Sequence, residues 1–138
     1  MSYGTNYTKA LSPAPASFMG AEWDGRVVVQ TDTFTFASHA TGTEVVVGVL
    51  KKGEVFLGAE IENAALGSGV TLQLGDAGDD DRYLAAASAA SAGTIRARRA
   101  GTNLGMHYKA TADTPIILTT GGAAATGAVY TTIFKARQ

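Results

Sequence analysis

After Arg26 the apolar and polar residues mostly follow a period of two, and that period predicts strands. Arg26-Val27-Val28-Val29-Gln30 is a buried-type run. In Asp32–Ser38, Phe34 and Phe36 point one way while Thr33 and Thr35 point the other, as in a strand with one wet face. His39–Gly42 reads as a turn. Glu44–Leu50 is β-branched and nearly continuous, which predicts a strand covered on both faces. Lys51-Lys52-Gly53 then predicts a short hairpin, with Gly53 supplying a positive φ. The return strand is expected to place Val55, Leu57, Ala59 and Ile61 on one face and Glu54, Phe56, Gly58 and Glu60 on the other.

Beyond the turn at 63–69, Val70, Leu72 and Leu74 are expected inside, with Thr71 and Gln73 outside. A polar loop, Asp76–Asp81, leads to a strand at 82–87 with Tyr83 as its large residue. The Ala- and Ser-rich stretch that follows favours a helix by propensity. It is short and continues a strand, so it reads as a strand end and a small-residue loop. Thr94–Arg99 and Met106–Ala110 predict weak strands, and Thr114–Thr120 a clear one with Pro115 at its start. In the closing run Val129, Thr131 and Ile133 oppose Tyr130, Thr132 and Phe134. Eight or nine short strands with Gly-rich turns and no strand–helix alternation predict an all-β fold, a jelly-roll-like antiparallel β-sandwich.

Residues 1–25 break the pattern. Tyr3, Tyr7, Leu11, Phe18, Met19 and Trp23 are scattered among Ser, Thr, Gly and Pro, and Pro13-Ala14-Pro15 imposes an extended backbone. The expected organisation is an extended N-terminal arm at 1–25 and a β-sandwich domain at 26–138. Aromatic residues on an arm need cover, either from the domain's own edge or from a partner.

Composition changes this picture in three ways. A chain of 138 residues with 46% hydrophobic residues suits one domain with a real core. A formal charge of −1 argues against a strongly basic nucleic-acid binder or a polybasic membrane-surface protein. The absence of Cys removes disulfides, thiolate metal sites and Cys nucleophiles, and mildly favours a reducing cytoplasm as the place of synthesis. The first residues lack a signal-peptide pattern, and no apolar run approaches the roughly 20 residues of a spanning helix.

Candidate chemistry is sparse. Asp76, Asp79, Asp80 and Asp81 offer oxygens suited to Ca²⁺, but their spacing does not match an EF-hand, and a solvated turn with local backbone hydrogen bonds is the plainer reading. His39 and His107 are isolated, with no metal-ligand spacing. Glu54 and Glu60 read as ordinary exposed strand positions. Arg96, Arg98 and Arg99 form the clearest positive cluster, open to solvent or to an acidic protein surface. No nucleophile–base constellation, metal set or phosphate-cradling loop stands out, so neither an enzyme nor a cofactor is expected.

A resemblance goes further than these patterns. The strand ending Val49-Leu50, the Lys51-Lys52-Gly53 turn, Val55–Gly58, Ala65–Asp76, Asp81–Leu84, Pro115–Thr119 and Ala125–Ala128 together resemble small virion proteins of tailed bacteriophages, of the head-decoration or capsid-cement type. The likeness spans roughly residues 32–138 and is one of strands and Gly turns. It implies a non-enzymatic protein on the capsid surface of the virion, made in the host cytoplasm, often a homotrimer, with the major capsid protein as partner and no nucleic acid or membrane. The anchors expected at that interface are Tyr3, Tyr7, Phe18 and Trp23 of the arm, since aromatic residues dominate interface energetics, with Arg96 and Arg98 beside them. A phage tail or fibre domain binding a host receptor or glycan is the alternative, with Tyr83, Tyr108 and Tyr130 available as contacts. A cytoplasmic β-barrel holding a small molecule is a third.

Overall fold

The computed structural model describes residues 26–97 and 107–137. Tyr3, Tyr7, Phe18, Trp23 and Arg98 lie outside that range, as do Arg99 and Met106. Eight strands follow in order: β1 (Arg26–His39), β2 (Glu44–Leu50), β3 (Val55–Asn63), β4 (Thr71–Asp76), β5 (Asp79–Ser88), β6 (Gly93–Ala97), β7 (Thr114–Gly121) and β8 (Ala125–Arg137). They form two antiparallel four-stranded sheets, ordered β1-β8-β3-β6 and β2-β7-β4-β5.

That order is the eight-stranded jelly roll. First strand pairs with last, second with seventh, third with sixth and fourth with fifth. The described chain is therefore one long antiparallel ribbon folded at the β4–β5 turn and wound over itself. Among the described residues β4 and β5 are the only consecutive strands that hydrogen-bond to each other.

The core lies between the sheets. Phe36, Phe56, Ile61, Leu72, Leu74, Tyr83, Ile116, Leu118 and Ile133 are buried there. Phe56 stacks on Tyr83 with ring centroids 4.3 Å apart. Period-two alternation reads the inside correctly around β4, where Val70, Leu72 and Leu74 are fully covered; in β8 the side carrying Val129, Thr131 and Ile133 is the buried one.

Several expectations need correction. The two runs at 26–30 and 32–38 are one strand, β1. β2 is not covered on both faces; it ends its sheet, and Val46 is exposed. A continuous β-branched run marks a strand former, and its neighbours decide the burial. Lys51–Gly53 does not make a hairpin, because β2 and β3 lie in different sheets. Gly53 has the expected positive φ of 86°, and its amide donates to the Ala110 carbonyl. The predicted faces of β3 also fail, because a bulge between Phe56 and Gly58 changes the phase. Phe56 then turns into the core along with Ala59 and Ile61. Around residues 107–110 the expected strand reduces to an isolated bridge, Val55 to Lys109, with His107 at φ 66°.

One turn glycine is required by a close approach. Gly122 sits at φ 79°, and a Cβ there would collide with the Gly69 carbonyl. Gly122→Ala is expected to cost about 2 kcal/mol or more, because the φ strain and the backbone clash add. A lowered urea midpoint at unchanged m-value checks it.

Candidate functional site

The fold turns at Asp76–Asp79, and the site is built around one buried carboxylate. β4 ends at Asp76, Ala77 and Gly78 make the turn, and Asp76 is paired across to Asp79 at the start of β5. Asp76 is 4% exposed. Its Oδ1 accepts from the amides of Gly78 (3.0 Å) and Asp79 (3.1 Å). Arg82 donates from Nε to Oδ2 at 2.7 Å and from Nη2 to Oδ1 at 3.3 Å. The buried Tyr83 hydroxyl donates to Oδ2 at 3.0 Å. Arg82 also lies over the Tyr108 ring, 4.3 Å from its centroid.

Electrostatics follow from this geometry. Burial alone would raise the Asp76 carboxyl, but hydrogen bonds from Arg82, Tyr83 and Gly78 outweigh it and hold the group below its ordinary value. Tyr83 is pushed well above the ordinary phenol range, first by burial and then by the Asp76 charge. Asp76 is thus an ionised structural clamp with its lone pairs spent. The sequence pattern placed it in a solvated loop, and the loop is instead a tight hairpin.

The other three acids do face solvent. The carboxylates of Asp79, Asp80 and Asp81 lie within 4.8 Å of one another and all are exposed. The Asp81 carboxyl is raised, chiefly by its hydrogen bond with Asp79. The Asp81 amide donates to Asp79 Oδ1 at 3.4 Å, a local contact of the kind the spacing suggested. Asp79 and Asp80 border an open hollow of ≈ 620 Å³ shared with Glu44, Ile117 and Thr119.

The histidines are accounted for by local packing. His39 Nδ1 accepts from the Ala37 amide at 2.8 Å, and its ring meets Phe34 and Phe36 edge-on. The His107 amide donates to the Phe56 carbonyl. Of the candidate tyrosines, Tyr83 is core and Tyr130 is exposed on β8.

Arg96 is exposed on β6 and pairs with Glu60 across the ladder, Nε to Oε1 at 3.1 Å. Glu60, expected to be exposed, is half-buried beside Arg96. Glu54 is a correction: it is buried at 4%, with Lys135 Nζ 2.9 Å from its Oε2. Lys135 is itself 1% exposed and donates to the Val49 carbonyl at 2.8 Å. Position in a strand period could not reveal Glu54, because its partner lies 81 residues away. A lysine at the inward phase of the closing strand, after Val129, Thr131 and Ile133, was the available signal.

Outer surfaces that sequence reasoning missed are apolar as well as charged. Val27 and Val29 of β1 and Val46 of β2 stand more than half exposed. Arg26 faces Arg137 directly across β1 and β8, leaving two like charges unpaired with each other at one end of the sheet.

No protein-family model matches the chain, and no curated protein matches it. Solved structures do. A chain in a cyanophage Pam1 capsid asymmetric unit is 25% identical at a TM-score of 0.69, covering 83% of this chain and 86% of that one. A chain in the capsid of Ralstonia phage GP4 is 19% identical at 0.64, with the same coverage. A chain in the acidic stable capsid of Helicobacter pylori bacteriophage KHP30 is 12% identical at 0.58, covering 80% and 86%. The last two likenesses concern the fold. Together the comparisons support a structural protein of the bacteriophage virion, related to capsid components. They support a location in the virion.

Proposed function

We propose that this protein decorates the phage head. It binds the outer surface of the shell and reinforces contacts between major capsid proteins, without catalytic activity, as a homotrimer. One observation carries the reading: the match to the Pam1 capsid chain covers 83% of this chain and 86% of that one, so the likeness extends over most of two chains of similar length.

The charge balance supports the outer face. A net charge of −1, with Asp79, Asp80 and Asp81 exposed, does not suit a surface that meets packaged nucleic acid. Attachment by many symmetric copies converts modest single contacts into firm decoration. Tyr3, Tyr7, Phe18 and Trp23 are the proposed anchors on the major capsid protein, with Arg96 and Arg98 at the rim.

The test is reconstitution. Purified protein added to shells lacking it is expected to co-sediment to saturation and to raise the temperature at which shells disassemble. Replacing Trp23 or Phe18 by Ala should weaken binding about 30-fold for each true anchor, equivalent to about 2 kcal/mol. Binding to host cells in place of shells would overturn the reading in favour of a tail or fibre role. Failure of shells to assemble without the protein would make it a shell-forming subunit.

A further inference from the structure

On the outer face of the β1-β8-β3-β6 sheet, side chains stand in rows across the strands, because residues directly opposite in a ladder share a face. In one row Arg96, Glu60 and Thr132 are neighbours on β6, β3 and β8. Glu60 has its cation there, the Arg96 Nε at 3.1 Å. The next row repeats the acid and changes its flanks. Glu62 has Thr94 on the side where Glu60 has Arg96, and Tyr130 on the side where Glu60 has Thr132. The ladder thus sets a carboxylate beside an aromatic ring and places no cation opposite it. Glu62 and Thr94 are exposed, and Tyr130 is 53% exposed.

These three side chains line a hollow of ≈ 340 Å³ together with Asn63 and small residues such as Ala64 and Ala128. Asn63 is 6% exposed. Its Nδ2 donates to the Ala64 and Ser91 carbonyls at 2.8 and 2.9 Å, while its Oδ1 has no hydrogen-bond partner among the described residues. The row therefore offers acceptors: the Glu62 carboxylate, the Asn63 amide oxygen and the lone pairs of the Thr94 hydroxyl, next to the negative face of the Tyr130 ring. Such a set suits a cation that only donates.

The molecule shows elsewhere how it holds one. Arg82 makes a fork to the Asp76 carboxylate, 2.7 Å from Nε and 3.3 Å from Nη2, with its guanidinium carbon 4.3 Å from the Tyr108 centroid. A carboxylate and a tyrosine together fix a planar guanidinium, by the fork on one side and stacking on the other; a compact ammonium does not reproduce both. Glu62 and Tyr130 present the same two groups side by side on the sheet face.

We propose that Glu62 and Tyr130, flanked by Thr94 and Asn63, form a seat for an arginine side chain of a protein partner. The seat follows from the register of β6, β3 and β8 and does not depend on the decoration reading. It makes this face of the sheet a contact for a basic protein segment, with the Arg96–Glu60 pair bordering it.

The test uses the full chain and a blocked tripeptide, glycyl-arginyl-glycine, titrated while amide resonances are followed by NMR. The Glu62, Thr94 and Tyr130 resonances should move saturably. Replacing the peptide's arginine by citrulline, its neutral isostere, should weaken binding about 10-fold, since the charge-assisted fork is lost. Lysine in its place should bind about 3-fold more weakly than arginine, since the stacking is lost. Glu62→Gln should cost about 10-fold and Tyr130→Leu about 5-fold in affinity for the arginine peptide. Both replace exposed side chains, and the comparison of arginine with citrulline on the unmodified chain is independent of how either variant folds. Equal binding of the arginine and citrulline peptides would overturn the proposal. So would resonances that do not move, as when a cation of the chain itself fills the seat, or that move only at other sites.

Discussion

Replacing Lys135 by Met should lower the folding free energy by about 3–5 kcal/mol, the largest single-residue loss expected outside the apolar core. Lys135 and Glu54 are both almost wholly buried. Their 2.9 Å contact is an ion pair and not an aligned hydrogen bond, since Glu54 Oε2 has no hydrogen-bond partner among the described residues. The ammonium also holds the Val49 carbonyl of β2 from β8 in the opposite sheet. Methionine matches the lysine stem but leaves a buried carboxylate without its counter-charge and a carbonyl without its donor. Replacing both partners, Lys135→Met with Glu54→Leu, should recover most of the loss, because a buried ion pair and an apolar pair of similar volume are often close in stability. Urea denaturation of the two single variants and the double variant measures the coupling. Additive losses would mean that the two side chains do not act as a pair.

The second large effect is expected at Asp76. Asp76→Ala removes the acceptor for the Gly78 and Asp79 amides, Arg82 and Tyr83 at once. The buried Tyr83 hydroxyl and the turn amides lose their partner, a cost of about 3 kcal/mol. The pH dependence has a definite sign. Asp76 is held below its unfolded value of 3.8, so its contribution is fully present above that value and is lost as pH falls through the lower folded value. The unmodified protein should lose stability below about pH 4, and Asp76→Asn should flatten that acid limb while lowering stability at neutral pH. Equal acid sensitivity in both would contradict the assignment. The same turn closes the only local strand pair of the described fold, so Asp76→Ala should also slow folding, which stopped-flow refolding would detect.

The sequence was legible wherever one residue's phase sufficed. Val70, Leu72 and Leu74 revealed their inner face because apolar and polar residues alternate there without a break, and in the closing strand the alternation of Val129, Thr131 and Ile133 with Tyr130, Thr132 and Phe134 was legible while the buried side was not. The sandwich class followed from strand spacing and Gly turns. What stayed hidden depends on partners far away in the chain. Lys51-Lys52-Gly53 has hairpin chemistry, yet it carries the chain from one sheet to the other, a choice made by β7 and β8. Phe56 enters the core only because a bulge resets β3. Asp76 and Asp79–Asp81 look alike in sequence, and only the position of Arg82 and Tyr83 separates the buried clamp from the solvated three. Glu54 was misread for the same reason, with Lys135 supplying the missing charge. The arm positions, Tyr3, Tyr7, Phe18 and Trp23, and Arg98 lie outside the described residues, and their interface role is a proposal.

Cryo-electron microscopy of shells reconstituted with this protein tests the decoration reading most directly. The account predicts additional jelly-roll density on the outer surface, seated over contacts between major capsid proteins, with three copies around each attachment point. Jelly-roll density within the shell wall, on the tail, or nowhere on the particle would contradict it.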